Sequence, residues 1–225
     1  MKLDVVCMKV GVGYRHEFVN QLFHQVKNQV NNIICWTDNP RGFDRNIETK
    51  IYNSFCQDRL WWNKVNLFEP GLFENDTIYL DLDCFVHGKL SKFIGLGQIL
   101  KTTWFSDEIN KYIFHCDVNS SVMHIQGNNF EQQYKDFQDN KDKIFKSFYG
   151  LDSWMYRRHR DSLKFFPKKL AYSYKYGSHF PEDITEYTKR DDHVVACFDD
   201  VEDKYDTLKK FWGCLLYTSP SPRDS

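Results

Sequence analysis

The chain has 225 residues, of which 41% are hydrophobic and 17% aromatic, and a formal net charge of -1. That composition can fill the core of one large domain, and it excludes the basic footprint expected of a protein that binds nucleic acid or an anionic membrane. No run approaches the length of a membrane span and the first residues lack the apolar centre of a secretory signal, so the expectation is one α/β domain with a cytoplasmic address.

Residues 3 to 10 read as a buried strand that ends in Gly11-Val12-Gly13, and Val19, Leu22, Phe23, Val26 and Val30 then recur at helical spacing. Ile33-Ile34-Cys35-Trp36 is a second strand, closed by the turn cluster Thr37-Asp38-Asn39-Pro40-Arg41-Gly42. This β-α-β order implies parallel neighbours whose carboxyl ends open on one sheet edge, where open α/β folds bind ligands. The glycine turn lacks the third glycine of a dinucleotide fingerprint.

Residues 58 to 68 read as a helix with Trp61, Val65 and Phe68 on one face and Lys64 near that stripe. After the turn Glu69-Pro70-Gly71 comes Ile78-Tyr79-Leu80-Asp81-Leu82-Asp83-Cys84-Phe85-Val86, a strand-like run interrupted by two carboxylates. On a strand, Asp81 and Asp83 would share a face. At about 4 Å and an effective dielectric of about 20 they would repel by roughly 4 kcal/mol, which a divalent cation would relieve. Two hard oxygen ligands suit Mg²⁺ or Mn²⁺, with substrate phosphates completing the shell. The competing reading of the pair is a strand that runs out into a solvated turn.

His87-Gly88 reads as a turn, and Leu90, Phe93 and Ile94 as a short helix; residues 95 to 118 carry no clear period. Residues 121 to 125 form a strand, and Phe130, Tyr134 and Phe137 mark an amphipathic helix. Residues 150 to 160 form another, with Asp152 in its first turn and Arg157, Arg158 and Arg160 on a solvated face. Strands follow at residues 171 to 175 and 193 to 198, then a last helix with Tyr205, Leu208 and Trp212. Cys7, Cys35, Cys84 and Cys197 lie in apolar strand-like runs, as buried free thiols would. Residues 214 to 225 resemble the translation of a sequencing adapter, so the domain is expected to span residues 1 to 213 and to be truncated at its C-terminal end.

Several of these stretches, taken in order, resemble glycosyltransferases of the GT-A fold, near the retaining glycosyltransferase family 8 and its bacterial and viral relatives. They are Cys7-Met8-Lys9-Val10-Gly11 with Tyr14, then Thr37-Asp38, Trp62-Asn63-Lys64, Tyr79-Leu80-Asp81-Leu82-Asp83, Asn119-Ser120-Ser121-Val122-Met123, Gly150-Leu151-Asp152 and Tyr172-Ser173-Tyr174-Lys175. The resemblance implies a Rossmann-like α/β fold with a central, mostly parallel mixed sheet flanked by helices. It also implies a metal-dependent hexosyltransferase that takes a nucleotide-diphosphate sugar, most often a uridine one, to a glycan or lipid-linked acceptor. Asp81 and Asp83 would hold Mn²⁺ or Mg²⁺ on the diphosphate, where the metal neutralises the leaving group. Tyr14 and Asp38 would face the nucleoside, Asn119 the donor sugar, and Lys175 would lie with them. Lys64 and Asp152 would be the catalytic pair. Tyr14, Asp38 and Lys64 also have plain readings, as turn residues and a surface lysine.

Three departures stand out. Ser121 replaces a small glycine, Gly150-Leu151-Asp152 replaces Gly-Asp-Gln, and Phe198-Asp199-Asp200 stands where the family shows Phe-His-Gly, leaving Asp199 as the substitute oxygen ligand. They keep open a degenerate GT-A domain that binds nucleotide or glycan without turnover. An aspartate-nucleophile phosphatase would instead need glycine and threonine where Cys84 and Phe85 stand.

Overall fold

The computed structural model describes residues 2–101, 116–167, 170–174, 193–198 and 203–216, with side chains as far as Trp212. Lys175 and Asp199 lie outside the described residues. Strand β1 (Leu3–Lys9) leads through the glycine turn into helix α1 (His16–Val26), then β2 (Asn32–Thr37) and β3 (Glu48–Ile51). A 3₁₀ helix, Leu60–Phe68, precedes β4 (Asp76–Leu80) and β5 (Cys84–Val86). The remaining elements are β6 (Ile99–Lys101), β7 (Val118–Ile125), α2 (Glu131–Ser147), α3 (Leu151–His159), β8 (Ala171–Ser173), β9 (Val195–Cys197) and α4 (Lys204–Leu216).

The main sheet has the order β3-β2-β1-β4-β7-β6. Its first four strands are parallel, while β7 runs antiparallel to both β4 and β6. A second sheet, β5-β9-β8, branches from it. Side-chain alternation sends Val5, Cys7, Ile78 and Leu80 into a core with α1 and α4, and Val6 and Tyr79 into a second core with the 3₁₀ helix, α2 and α3. With both faces covered, β1 and β4 read as continuous apolar runs instead of alternating ones. Cys7, Cys35, Cys84 and Cys197 are buried and form no disulfide, as expected.

The structure differs from the sequence reading in three places. Strand β4 stops at Leu80, and Asp81 opens a tight turn in which the Cys84 amide donates to the Asp81 carbonyl at 3.1 Å. Asp81 and Asp83 therefore stand on a connection between two sheets, not on one strand face. The segment expected as an α-helix at 58 to 68 is a 3₁₀ helix, and its tighter winding buries Trp62 and leaves Trp61 at the surface. Strand β3 escaped notice because all four of its residues are exposed, which leaves no hydrophobic pattern to read.

No described helix is long and apolar enough to cross a membrane.

Candidate active site

The carboxyl ends of β1 and β2 open onto a cleft of about 390 Å³ lined by Lys9, Gly11, Tyr14, Asp38 and Arg41, among others. Gly11 has φ +73°, and a Cβ there would lie 2.8 Å from Leu60 Cδ1, so only glycine lets the loop pass under the 3₁₀ helix. The Gly11 amide donates to Asp38 Oδ2 at 2.8 Å, which ties the two loops together. Asp38 thus lines the cleft while holding its shape.

Tyr14 connects this cleft to the aspartate turn, its hydroxyl donating to Asp83 Oδ2 at 2.9 Å. The same oxygen receives Lys204 Nζ, from the first turn of α4, at 2.5 Å. Asp81 has its own partners: Tyr79 OH donates to Oδ1 at 2.5 Å and Lys64 Nζ to Oδ2 at 2.7 Å. Tyr79 and Asp81 are two apart and lie on the 3₁₀-helix side of the sheet, where Lys64 also covers the Tyr79 ring at 5.2 Å from its centroid. Each carboxylate thus has one lysine as counter-charge and one tyrosine hydroxyl as hydrogen-bond donor.

Strand β7 extends the row. Because it is antiparallel to β4, its first residues sit beside the end of β4, and the Asp81 amide donates to the Ser121 carbonyl at 2.9 Å. Lys64 Nζ also donates to Ser120 Oγ at 3.3 Å. Ser120 also stabilises the charged form of Asp152, at the start of α3. Asp152 Oδ1 is buried with no hydrogen-bond partner among the described residues.

Burial pulls the Lys64 ammonium down, but the charges of Asp81, Asp152 and Asp83 outweigh it and hold its pKa above the ordinary lysine value. It stays protonated. Burial is also the largest influence on Asp152, and it lifts that carboxyl above its ordinary value against the opposing pull of Lys64 and Ser120.

Of the residues named from the sequence, Tyr14, Asp83, Asp81, Lys64 and Asp152 form one continuous chain of contacts and electrostatic couplings. Asp38 reaches it through the cleft. Asn119 lies one residue before Ser120, with its Oδ1 accepting from the Ser121 amide at 2.8 Å. Arg158 and Arg160 are not part of it: Arg158 NH2 bonds Asp136 Oδ1 at 2.6 Å and Arg160 NH2 bonds Asp117 Oδ2 at 2.6 Å. Sequence reasoning missed Tyr79, Ser120 and Lys204. Tyr79 could have been found from its i, i+2 relation to Asp81; nothing in the sequence pairs Lys204 with Asp83.

Among the described residues, no group of three or more histidine, cysteine, aspartate or glutamate side chains could hold a metal ion. Asp81 and Asp83 offer two hard oxygen donors of the class that Mg²⁺ and Mn²⁺ take.

No protein-family profile matches the chain, and no curated protein matches it in sequence. Solved structures do. The galactosyltransferase LgtC, solved in complex with donor and acceptor sugar analogs, is 12% identical with a TM-score of 0.59, over 98% of each chain. GlyE of Streptococcus pneumoniae TIGR4 is 12% identical with a TM-score of 0.61, over 96% of this chain and 63% of its own. A glycosyltransferase involved in glycosylation of the major capsid of PBCV-1 is 10% identical with a TM-score of 0.55, over 93% of this chain and 100% of its own. The fold is that of the GT-A glycosyltransferases.

Proposed function

We propose that the chain is a glycosyltransferase that moves a sugar from a nucleotide-diphosphate sugar, with a uridine nucleotide the first candidate, to a hydroxyl of a glycan. The observation that carries this reading is the orphaned Oδ1 of Asp152, a buried carboxylate oxygen with no hydrogen-bond donor among the described residues, at the far end of a row that begins at the cleft beside β1 and β2. A sugar or acceptor hydroxyl would satisfy it. The shared fold with solved glycosyltransferases supports the same reading.

In this scheme the cleft beside Tyr14 and Asp38 takes the nucleoside, and the diphosphate lies at Asp81 and Asp83. Lys64, kept protonated by its acidic neighbours, supplies positive charge where the leaving group develops negative charge. Asp152, with its carboxyl pKa lifted by burial, accepts a hydrogen bond or a proton from the hydroxyl facing it. We further propose that Asp81 and Asp83 hold Mn²⁺ or Mg²⁺, which when bound would act as a Lewis acid on the diphosphate. Lys204 occupies Asp83 Oδ2, so it must yield some of that oxygen to the metal.

The test is thermal unfolding with uridine and guanosine diphosphates, with and without Mn²⁺, on the wild type and Asp83→Asn, alongside release of nucleotide diphosphate from a panel of nucleotide sugars. A ligand at 100 times its Kd should add about 2.7 kcal/mol of stability. The expected result is a metal-dependent shift for one nucleotide that is lost in the variant, together with turnover of its sugar. No shift with either nucleotide would overturn the reading; a shift without turnover would leave a binding domain.

A further inference from the structure

Beyond Asp152 the surface carries two exposed aromatic rings. Tyr149 is 75% and Trp61 38% exposed, and the other exposed large hydrophobic side chains among the described residues, Val12, Ile51 and Leu96, are aliphatic. The two rings touch, with centroids 5.3 Å apart and planes inclined by 36°. They come from the same two segments as the Lys64–Asp152 couple. Trp61 precedes Lys64 by three residues in a 3₁₀ helix, where residues three apart share a face, and Tyr149 precedes Asp152 by three at the entrance to α3.

The backbone under this pair is firmly held. The Tyr149 carbonyl accepts from Arg59 NH1 at 3.2 Å, Trp62 Nε1 at 3.3 Å and Trp61 Nε1 at 3.4 Å, and Arg59 NH1 also reaches the Phe148 carbonyl at 2.9 Å. A Cβ on Gly150 would lie 2.9 Å from Trp61 Nε1, so the glycine admits the indole against the chain. Three side-chain donors thus fix one carbonyl whose own side chain, among the described residues, packs against one neighbouring ring and is otherwise largely exposed. Such fixing gives the core nothing, but it sets two rings in a defined orientation before any ligand arrives, and this lowers the cost of binding one.

We propose that Trp61 and Tyr149 form a stacking platform for a pyranose ring of the acceptor glycan; this rests on the glycosyltransferase reading above. The negative face of an aromatic ring attracts the weakly positive C–H groups on the apolar face of a sugar, while the sugar's hydroxyl rim stays in water. Two side chains are far too small a surface for a protein partner, which takes about 20–30 residues a side. Trp61 and Tyr149 are carried by the same two segments as Lys64 and Asp152, so in this proposal the chain that holds the catalytic couple also presents the platform.

The experiment is saturation-transfer NMR of the full chain with lactose, maltose, cellobiose and chitobiose, for the wild type, Tyr149→Ala and Tyr149→Phe, with the uridine diphosphate thermal shift measured on each sample. Tyr149 is exposed, so neither substitution removes core packing. The expected result is transfer to the ring C–H protons of at least one disaccharide in the wild type, a Kd at least tenfold weaker in Tyr149→Ala, and near-wild-type binding in Tyr149→Phe, with the nucleotide shift equal in all three. Wild type that binds none of the four, or Tyr149→Ala that binds as wild type does, overturns the platform, and an intact nucleotide shift then leaves the glycosyltransferase reading standing. Tyr149-dependent disaccharide binding without a nucleotide shift supports the platform and sinks that reading instead.

Discussion

Lys204 and Asp83 are 121 positions apart in the chain, yet Nζ and Oδ2 meet at 2.5 Å, on an oxygen that Tyr14 also uses. The ammonium stands where a divalent cation would have to coordinate. Replacing it with methionine should therefore raise the affinity of the free protein for Mn²⁺ severalfold, read by electron paramagnetic resonance without any nucleotide. Unchanged or weaker Mn²⁺ binding in Lys204→Met would show that the lysine does not compete for Asp83.

Lys64 has a different balance. Its side chain is 12% exposed and its partner Asp81 21% exposed, with Asp152 close by. Lys64→Met would leave two carboxylates without their shared cation, and loss of one partner of a buried pair costs about 3–5 kcal/mol. Because the folded pKa of Lys64 is raised, its contribution is complete below the unfolded lysine value of about 10.4 and fades as pH climbs through the folded value. Urea unfolding at pH 7 should show the full loss. A variant as stable as wild type there would mean that Asp81 and Asp152 are neutralised by other groups.

Asp152 shifts in the opposite sense for stability. Its folded carboxyl pKa is raised by burial, so the folded state holds the proton more tightly than the unfolded chain does. Wild type loses stability as pH rises from the unfolded value of about 3.9 through the folded one, and asparagine has no such term. Asp152→Asn should gain in melting temperature relative to wild type across that window, then keep a constant lead up to pH 8 while losing turnover. A lead that does not depend on pH would place the origin elsewhere.

A fourth prediction concerns the frame. A Cβ on Gly97 would lie 2.7 Å from both the Phe165 carbonyl carbon and the Phe166 amide, where the Gln98 amide also bonds the Lys164 carbonyl at 2.7 Å. The obstacle is backbone on both sides, so Gly97→Ala should cost about 1–3 kcal/mol in a chemical denaturation curve. A neutral result would mean that the 164–166 segment can shift away.

What could be read from the sequence divides along physical lines. Strands β1, β2 and β4 were legible as apolar runs because the sheet is covered on both faces, and helix α1 because its one buried face leaves a period. Lys64, Asp81, Asp83 and Asp152 could be named through the order of their motifs, and the structure brings them together. The i, i+2 argument for the aspartates assumed a strand face where the structure has a turn: hydrophobicity continues through Leu82 and Cys84, so the turn that ends β4 leaves no mark. In the 3₁₀ helix the sequence period pointed Trp61 inward, since a 3.6-residue repeat and a 3.0-residue repeat diverge within two turns. Lys204 enters the site through a tertiary contact alone, and no local pattern announces it; Ser120 sat inside a quoted motif, but its contact with Lys64 is likewise tertiary.

The reversed direction of β7 has a consequence for how such a site can change. On the proposed function, the nucleoside is held by residues 9 to 41 and the acceptor by Trp61 and residues 149 to 152, while Lys64, Asp81, Asp83 and the start of β7 stand between them. The nucleoside and acceptor contacts share no residue. Selection can rewrite what the protein accepts at one end without touching what it takes at the other, provided that Asp81, Ser120 and the turn between the sheets are left as they are.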